Sequence, residues 1–243
     1  MIEIRGLVKS FGRKAVLRGV DLTVAPGETV VMLGPNGAGK TTLMRIVATL
    51  SKPTAGKVRV GGIEISYAPD AVRQQLGFVT HTPLLYDSLT AEENLRFFGR
   101  LYRLKDLDAR IDALLRQVGL AARRHDPVRT YSRGMVQRLS IARALLHDPP
   151  VLLLDEPDTG LDQHAATMLH RVVAEVAGTR QNGEGKTRRA SVLLTTHNLE
   201  RGLAWADRLV ILSGGRIAFE ARRGDLTEEN LRETYDRIVI GRG

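Results

Sequence analysis

A chain of 243 residues without cysteine suits one sizeable α/β core and excludes a disulfide framework, a thiolate nucleophile and a thiolate metal site. Its formal net charge of +9 points to an anionic partner (nucleic acid, acidic lipid or acidic protein) or to an arginine-rich solvated surface, since the basic residues are spread along the chain. No run approaches the ~18 apolar residues that span a bilayer, and MIEIRGLVKSFGRK lacks an apolar signal core, so a peripheral subunit is expected if the protein works at a membrane.

Taken in order, Ile2, Ile4 and Leu7 alternate with polar residues, and Ala15 to Val24 repeats the pattern, predicting antiparallel strands. Phe11 falls in the polar turn Lys9-Ser10-Phe11-Gly12, where it either stacks on a base or plugs a small core. Pro26-Gly27 turns the chain into an apolar strand, Glu28 to Leu33. Gly34-Pro35-Asn36-Gly37-Ala38-Gly39-Lys40-Thr41-Thr42 follows, and a helical pattern runs from Thr41 to Leu50. Strand, G-x-x-x-x-G-K-T and helix in succession form the Walker A phosphate loop. Its glycines let backbone N–H groups turn toward a phosphate, and the helix N-terminus adds its positive end. Lys40 is expected to reach the β- and γ-phosphates of a nucleoside triphosphate, and the Thr41 hydroxyl to ligate Mg²⁺.

Lys57 to Val60 with Gly61-Gly62 predicts a hairpin, Ala68 to Gln75 a short helix, and Leu76 to Val79 a buried strand ending at Thr80-His81-Thr82-Pro83. From there to about Pro127 the pattern is helical. Thr90-Ala91-Glu92-Glu93 is a capping box opening a helix with Leu95, Phe98, Leu101 and Tyr102 on one side. Leu107 to Val118 is a second helix, ended by Gly119. Ser132 is placed to cap a third, which Pro149-Pro150 terminates, and Gly134 leaves its first turn open to an anion.

Val151 to Leu154 followed by Asp155-Glu156 has the Walker B form: a central parallel strand buried on both faces, with the acid at its C-terminal end. Asp155 is expected to hold Mg²⁺ and Glu156 to polarise the attacking water. Gly160-Leu161-Asp162 leads into a helix to about Val176, and Gly178 to Arg189 is a mobile surface loop without an aromatic. Val192 to Thr195 is another buried strand, and its polar tip carries His197, a candidate γ-phosphate contact. Leu209 to Ile217 forms a closing hairpin and Thr227 to Arg237 a terminal helix. His125, His147, His164 and His170 show no clustering and are read as surface residues.

Walker A, a helical insert, Ser-x-Gly opening a helix, Walker B-Glu-Pro, Gly-Leu-Asp and Thr-Thr-His, in this order over nearly the whole chain, closely resemble the ATP-binding cassette (ABC) ATPase subunit. The resemblance implies an α/β P-loop NTPase (RecA-like) core with a mostly parallel sheet, an N-terminal antiparallel β subdomain and an inserted helical subdomain. Residues 1–243 would form a single domain, with core at 1–83 and 148–243 and helices at 84–147. It also implies that Phe11 stacks on adenine, that His197 is the switch histidine and that Asp162 communicates across a dimer. In that head-to-tail homodimer each ATP lies between one Walker A and the other subunit's Ser132/Gly134 helix end. The implied partner is an integral membrane permease, which would hold the subunit peripherally at the cytoplasmic face of the inner membrane.

Two departures stand out. The family's glutamine after the strand Gly77 to Val79 is His81, an imidazole able to bond a water near Mg²⁺, although Mg²⁺ prefers oxygen ligands. The signature loop, usually Leu-Ser-Gly-Gly-Gln, reads Tyr131-Ser132-Arg133-Gly134-Met135, with Arg133 directed at the partner-bound phosphate or at solvent. His81, the run Thr82 to Leu95 and Ser132 to Arg138 look most like the ATP-binding subunit of the haem exporter of cytochrome c maturation; direct haem binding is not expected. The alternatives are a drug or lipid exporter subunit and a soluble, non-transport cassette ATPase. Nucleic acid is disfavoured as a partner, since translation-factor relatives carry two cassettes and repair relatives a long coiled coil. A P-loop kinase explains neither Ser132-x-Gly134 nor the series from Glu156 to His197.

Overall fold

Strands β3 (Thr29–Leu33), β7 (Val151–Asp155) and β10 (Ser191–Thr195) are buried at every residue, which only a strand covered on both faces permits. The structure, a computed structural model, describes residues 1–80, 82–158, 167, 171–175, 180–181, 187–239 and 241. These strands lie at the centre of a six-stranded sheet ordered β12-β11-β3-β10-β7-β6, with β6 at Leu76–Val79, β11 at Arg208–Ser213 and β12 at Arg216–Arg222. All neighbours run parallel except the β11–β12 hairpin. The registers pair Thr195 with Met32 on one side and with Asp155 on the other, so the C-terminal ends of three strands share one edge. In open parallel sheets that edge is where ligands bind.

The period of two along each strand divides the apolar core. Val31, Leu33, Leu152, Leu154, Val192 and Leu194 face one cluster, which includes Leu95, Ile111, Leu115 and Leu139 of helices α3 (Ala91–Leu101), α4 (Leu107–Gln117) and α5 (Arg133–Leu145). Val30, Met32, Leu153 and Leu193 face the other, built from α1 (Lys40–Val47) and a four-stranded antiparallel sheet. That sheet is ordered β2-β1-β4-β5, with β1 at Ile2–Phe11, β2 at Lys14–Val24, β4 at Ala55–Val60 and β5 at Ile63–Glu64. The α/β class, the mostly parallel sheet, the N-terminal antiparallel sheet and the helical insertion agree with expectation.

Local chemistry accounts for the helix ends. The capping box of α3 is complete: Glu93 N donates to Thr90 Oγ1 at 3.1 Å and Thr90 N to Glu93 Oε2 at 2.8 Å. Gly119 follows α4 with φ 65, and Ser132 caps α5 by accepting from Met135 N at 3.3 Å. A short helix α2 occupies Pro69–Arg73. Helix α6 (Leu199–Trp205), capped by Asn198, was not anticipated; Gly202 lets it lie against β3, because a Cβ there would sit 3.1 Å from Leu33. Helix α7 (Glu228–Val239) matches the expected terminal helix.

Five expectations need correction. Phe11 ends strand β1, paired with Lys14, rather than sitting in a turn, and Leu101 projects into solvent instead of joining Leu95 in the core. Helix α1 stops at Val47 rather than Leu50, with Thr49 at φ 61. The described part of Gly178 to Arg189 contains a small ribbon, β8 (Arg180–Gln181) paired with β9 (Thr187–Arg188). Finally, His147 is no surface residue. Its ring stacks on Tyr102 with centroids 3.9 Å apart, and Nε2 lies 3.1 Å from Leu76 O. Arg143 Nη2 donates to Phe78 O at 2.5 Å while its guanidinium lies over the Phe98 ring, so α5 and the turn that follows it cover alternate carbonyls of the strand that ends the sheet. His164 and His170 lie outside the described residues.

Burial of His147, more than the opposing bond to Leu76 O, lowers its pKa from 6.5 to about 4. Between these values the unfolded chain binds more protons, so stability is flat above 6.5 and falls as pH drops toward 4. From about pH 7.5 to 5.0 this one site is expected to remove about 2 kcal/mol. Urea unfolding of His147→Phe should lose that share of the pH dependence; a slope equal to wild type would refute the assignment.

Candidate active site

The loop from Gly34 to Gly39 leaves β3 at the shared strand edge and re-enters α1. Gly34 takes φ 152, and a Cβ there would stand 2.2 Å from Leu212 O on β11, so no side chain fits. Gly39, at φ 109, is the N-cap of α1, where a Cβ would meet the Leu17 side chain at 2.7 Å. The cleft over this loop is lined by Pro35, Asn36, Gly37, Ala38, Gly39, Lys40, Thr41 and Thr42, by Asp155 and Glu156, and by Lys14 and Val16 of β2. Sequence reasoning found all but the last two. Nothing in the Arg13-Lys14 pair distinguished it from a solvated turn.

Lys40 is 5% exposed, with its ammonium held across the loop by Gly34 O at 2.8 Å and Pro35 O at 3.2 Å, and 3.5 Å from Glu156 Oε1. A cation this deep at a helix N-terminus makes the cleft strongly anion-selective. Asp155 is buried at the end of β7. Its Oδ1 accepts from Thr195 Oγ1 at 2.7 Å and from Thr41 Oγ1 at 3.3 Å, while Oδ2 has no hydrogen-bond partner among the described residues. A buried carboxylate oxygen without a donor, beside a threonine hydroxyl, is a donor set that suits a hard divalent cation. Thr195, recognised from sequence only as a polar strand tip, is the residue that orients Asp155.

Glu156 turns out of the strand with φ 48, a left-handed conformation costing a non-glycine residue roughly 1–2 kcal/mol. The turn is held by Glu156 N donating to Thr195 O at 3.1 Å and to Thr195 Oγ1 at 3.0 Å. It aims the carboxylate between Lys40 and His197, whose Nδ1 is 3.9 Å from Oε2. His197 is itself 57% solvent-exposed in side chain and does not line the cleft.

The remaining candidates lie apart. Phe11 is 56% exposed, with Lys9 Nζ 4.7 Å from its ring centroid, which removes the core-plug reading. Ser132 and Gly134, at the start of α5, do not line the cleft. His81 and Asp162 lie outside the described residues.

The family model described as ABC transporter matches residues 17–159, which include the phosphate loop, the capped helix α5 and the Asp155-Glu156 pair. The chain belongs to the ABC transporter family. Daunorubicin resistance ATP-binding protein DrrA3 of Streptomyces coeruleorubidus is 38% identical over 98% of this chain and 73% of its own. ABC transporter ATP-binding protein NatA of Bacillus subtilis is 35% identical over 94% and 90%. Nod factor export ATP-binding protein I of Rhizobium johnstonii is 36% identical over 95% and 72%. Among solved structures, an ATP-binding subunit of an ABC transporter superposes with a TM-score of 0.85 at 30% identity, covering 97% of this chain and 99% of that one. The dimeric MJ0796 cassette with ADP and phosphate gives 0.80 at 26% identity, over 92% and 99%.

The chain therefore carries an ABC ATPase domain that binds and hydrolyses ATP; ABC ATPases function with membrane permease subunits, and the MJ0796 cassette is dimeric. No helix among the described residues is long and apolar enough to cross a membrane. The finer expectation of haem export finds no support among the relatives named here.

Proposed function

We propose that the chain is the ATPase subunit of an exporter, bound peripherally through its permease at the cytoplasmic face of the inner membrane, with residues 84–147 as the helical unit. The observation that carries the chemistry is Glu156, 3.5 Å from Lys40 and 3.9 Å from His197 at the mouth of the phosphate cleft. In this reading Lys40 and the loop amides from Gly34 to Thr42 neutralise the triphosphate, and Phe11 stacks on adenine. Thr41 and Asp155 hold Mg²⁺, which supplies further charge neutralisation on the phosphates when bound. Glu156 takes a proton from the attacking water, and His197 orients the γ-phosphate. Ser132 and Gly134 of a second copy close the site head to tail, with Asp162 serving communication across the dimer and His81 bonding a water near Mg²⁺.

Drug resistance and Nod factor export in the names of the relatives favour an organic cargo moved outward. Haem remains a second reading, supported by the sequence around His81 and Ser132. Tagged Glu156→Gln protein should retrieve a polytopic permease from detergent-solubilised membranes in the presence of ATP. The reconstituted wild-type complex should then show ATPase stimulated by its cargo, tested with anthracycline, lipid and haem probes. Recovery of soluble proteins or nucleic acid alone would overturn the exporter assignment.

A further inference from the structure

Asp158 is 5% exposed, yet it lies outside the set of residues lining the cleft. Its Oδ2 accepts from Arg201 Nη1 of α6 at 3.0 Å, and Oδ1 lies 3.5 Å from Thr196 Oγ1. Thr196 immediately precedes His197, and its hydroxyl also accepts from Asn198 N at 3.1 Å. On the other flank, Gln137 of α5 donates Nε2 to Pro157 O at 2.9 Å. The segment 156–158 is thus fastened at each residue in turn: Glu156 by Thr195, Pro157 by Gln137, Asp158 by Arg201.

A buried carboxylate is expensive, and its bridge to the 37%-exposed Arg201 side chain need not be more stable than apolar groups of similar size. What such a pair supplies is a fixed distance between the backbones that carry it. Here one backbone bears Glu156 two residues upstream, and the other bears His197 between Thr196 and Arg201. We infer that Asp158 and Arg201 form a latch that sets the position of Glu156 relative to His197, making Asp158 a positioning residue for hydrolysis. The inference rests on the assignment of Glu156 and His197 to the hydrolytic step.

Three variants of the full chain, assayed with the permease that co-purifies with it, test the latch. Asp158→Asn removes the charge, Arg201→Lys keeps a cation with different geometry, and Asp158→Leu/Arg201→Met replaces the pair by apolar side chains. Misplacement of catalytic groups by about 1 Å costs up to ~100-fold, so kcat should fall about tenfold or more in the asparagine and apolar-pair variants, less in the lysine variant. KM and Kd for ATP should hold, because Lys40 and the phosphate loop are untouched. The apolar pair separates the roles: a merely structural bridge predicts its kcat near wild type once the fold is retained, and that result overturns the inference. A parallel loss of kcat and ATP affinity overturns it as well. Glu156→Gln, run alongside, distinguishes the two failures. Wild-type turnover there would remove the hydrolytic assignment itself, whereas lost turnover there with unchanged kcat in the latch variants would remove only the latch.

Discussion

Glu156→Gln is expected to abolish steady-state ATP turnover while leaving ATP binding intact. The amide keeps the shape of the side chain and the turn at φ 48, which depends on backbone bonds to Thr195, but it cannot accept a proton from water. General-base catalysis contributes typically ~10²–10⁴-fold, so kcat should fall by at least about two orders of magnitude. With hydrolysis blocked, ATP should accumulate between two subunits, and size-exclusion chromatography with ATP should show a dimer that wild type forms only transiently. Turnover at the wild-type rate would show that another group activates water.

Lys40→Met should act at the opposite end of the cycle. Methionine replaces the buried stem with little change in apolar volume but removes the ammonium now shared by Gly34 O, Pro35 O and Glu156. Charge-assisted bonds to phosphate are worth more than neutral ones, and losing them should weaken ATP binding about 100-fold, or roughly 2.7 kcal/mol. The variant should fold normally by circular dichroism yet lose the rise in Tm that ATP gives the wild-type protein. An undiminished shift would mean that the loop amides alone hold the triphosphate. The two variants therefore separate binding from chemistry within one cleft.

The cleft was legible because its residues are consecutive and their context is redundant. The phosphate loop sits between an apolar strand and a helix, and the Asp155-Glu156 pair ends a run of four apolar residues that only a central strand tolerates. What escaped are relations between distant positions. Asp158 and Arg201 are unremarkable singly, and their pairing arises only when β7 and β10 lie side by side. His147 looked like a surface residue because Tyr102, which covers its ring, lies 45 residues earlier in the chain, just beyond the end of α3. Lys14 and Val16 reach the cleft from the antiparallel sheet, whose placement over α1 follows from packing rather than from any local pattern. Helix α6 is short and carries Gly202, so its periodicity gives little signal beyond the Asn198 cap.

The central sheet also acts as a partition wall. Leu152 and Leu154 look toward the helices α3 to α5, whereas Leu153, between them, looks toward α1 and the antiparallel sheet. Core positions packed in different clusters share few direct partners, so substitutions there combine nearly independently. If a partner docks on the helical side, that face can be remodelled while the face carrying α1 and the phosphate loop is left unchanged. Interchangeable transport partners and a constant engine become compatible in one short chain.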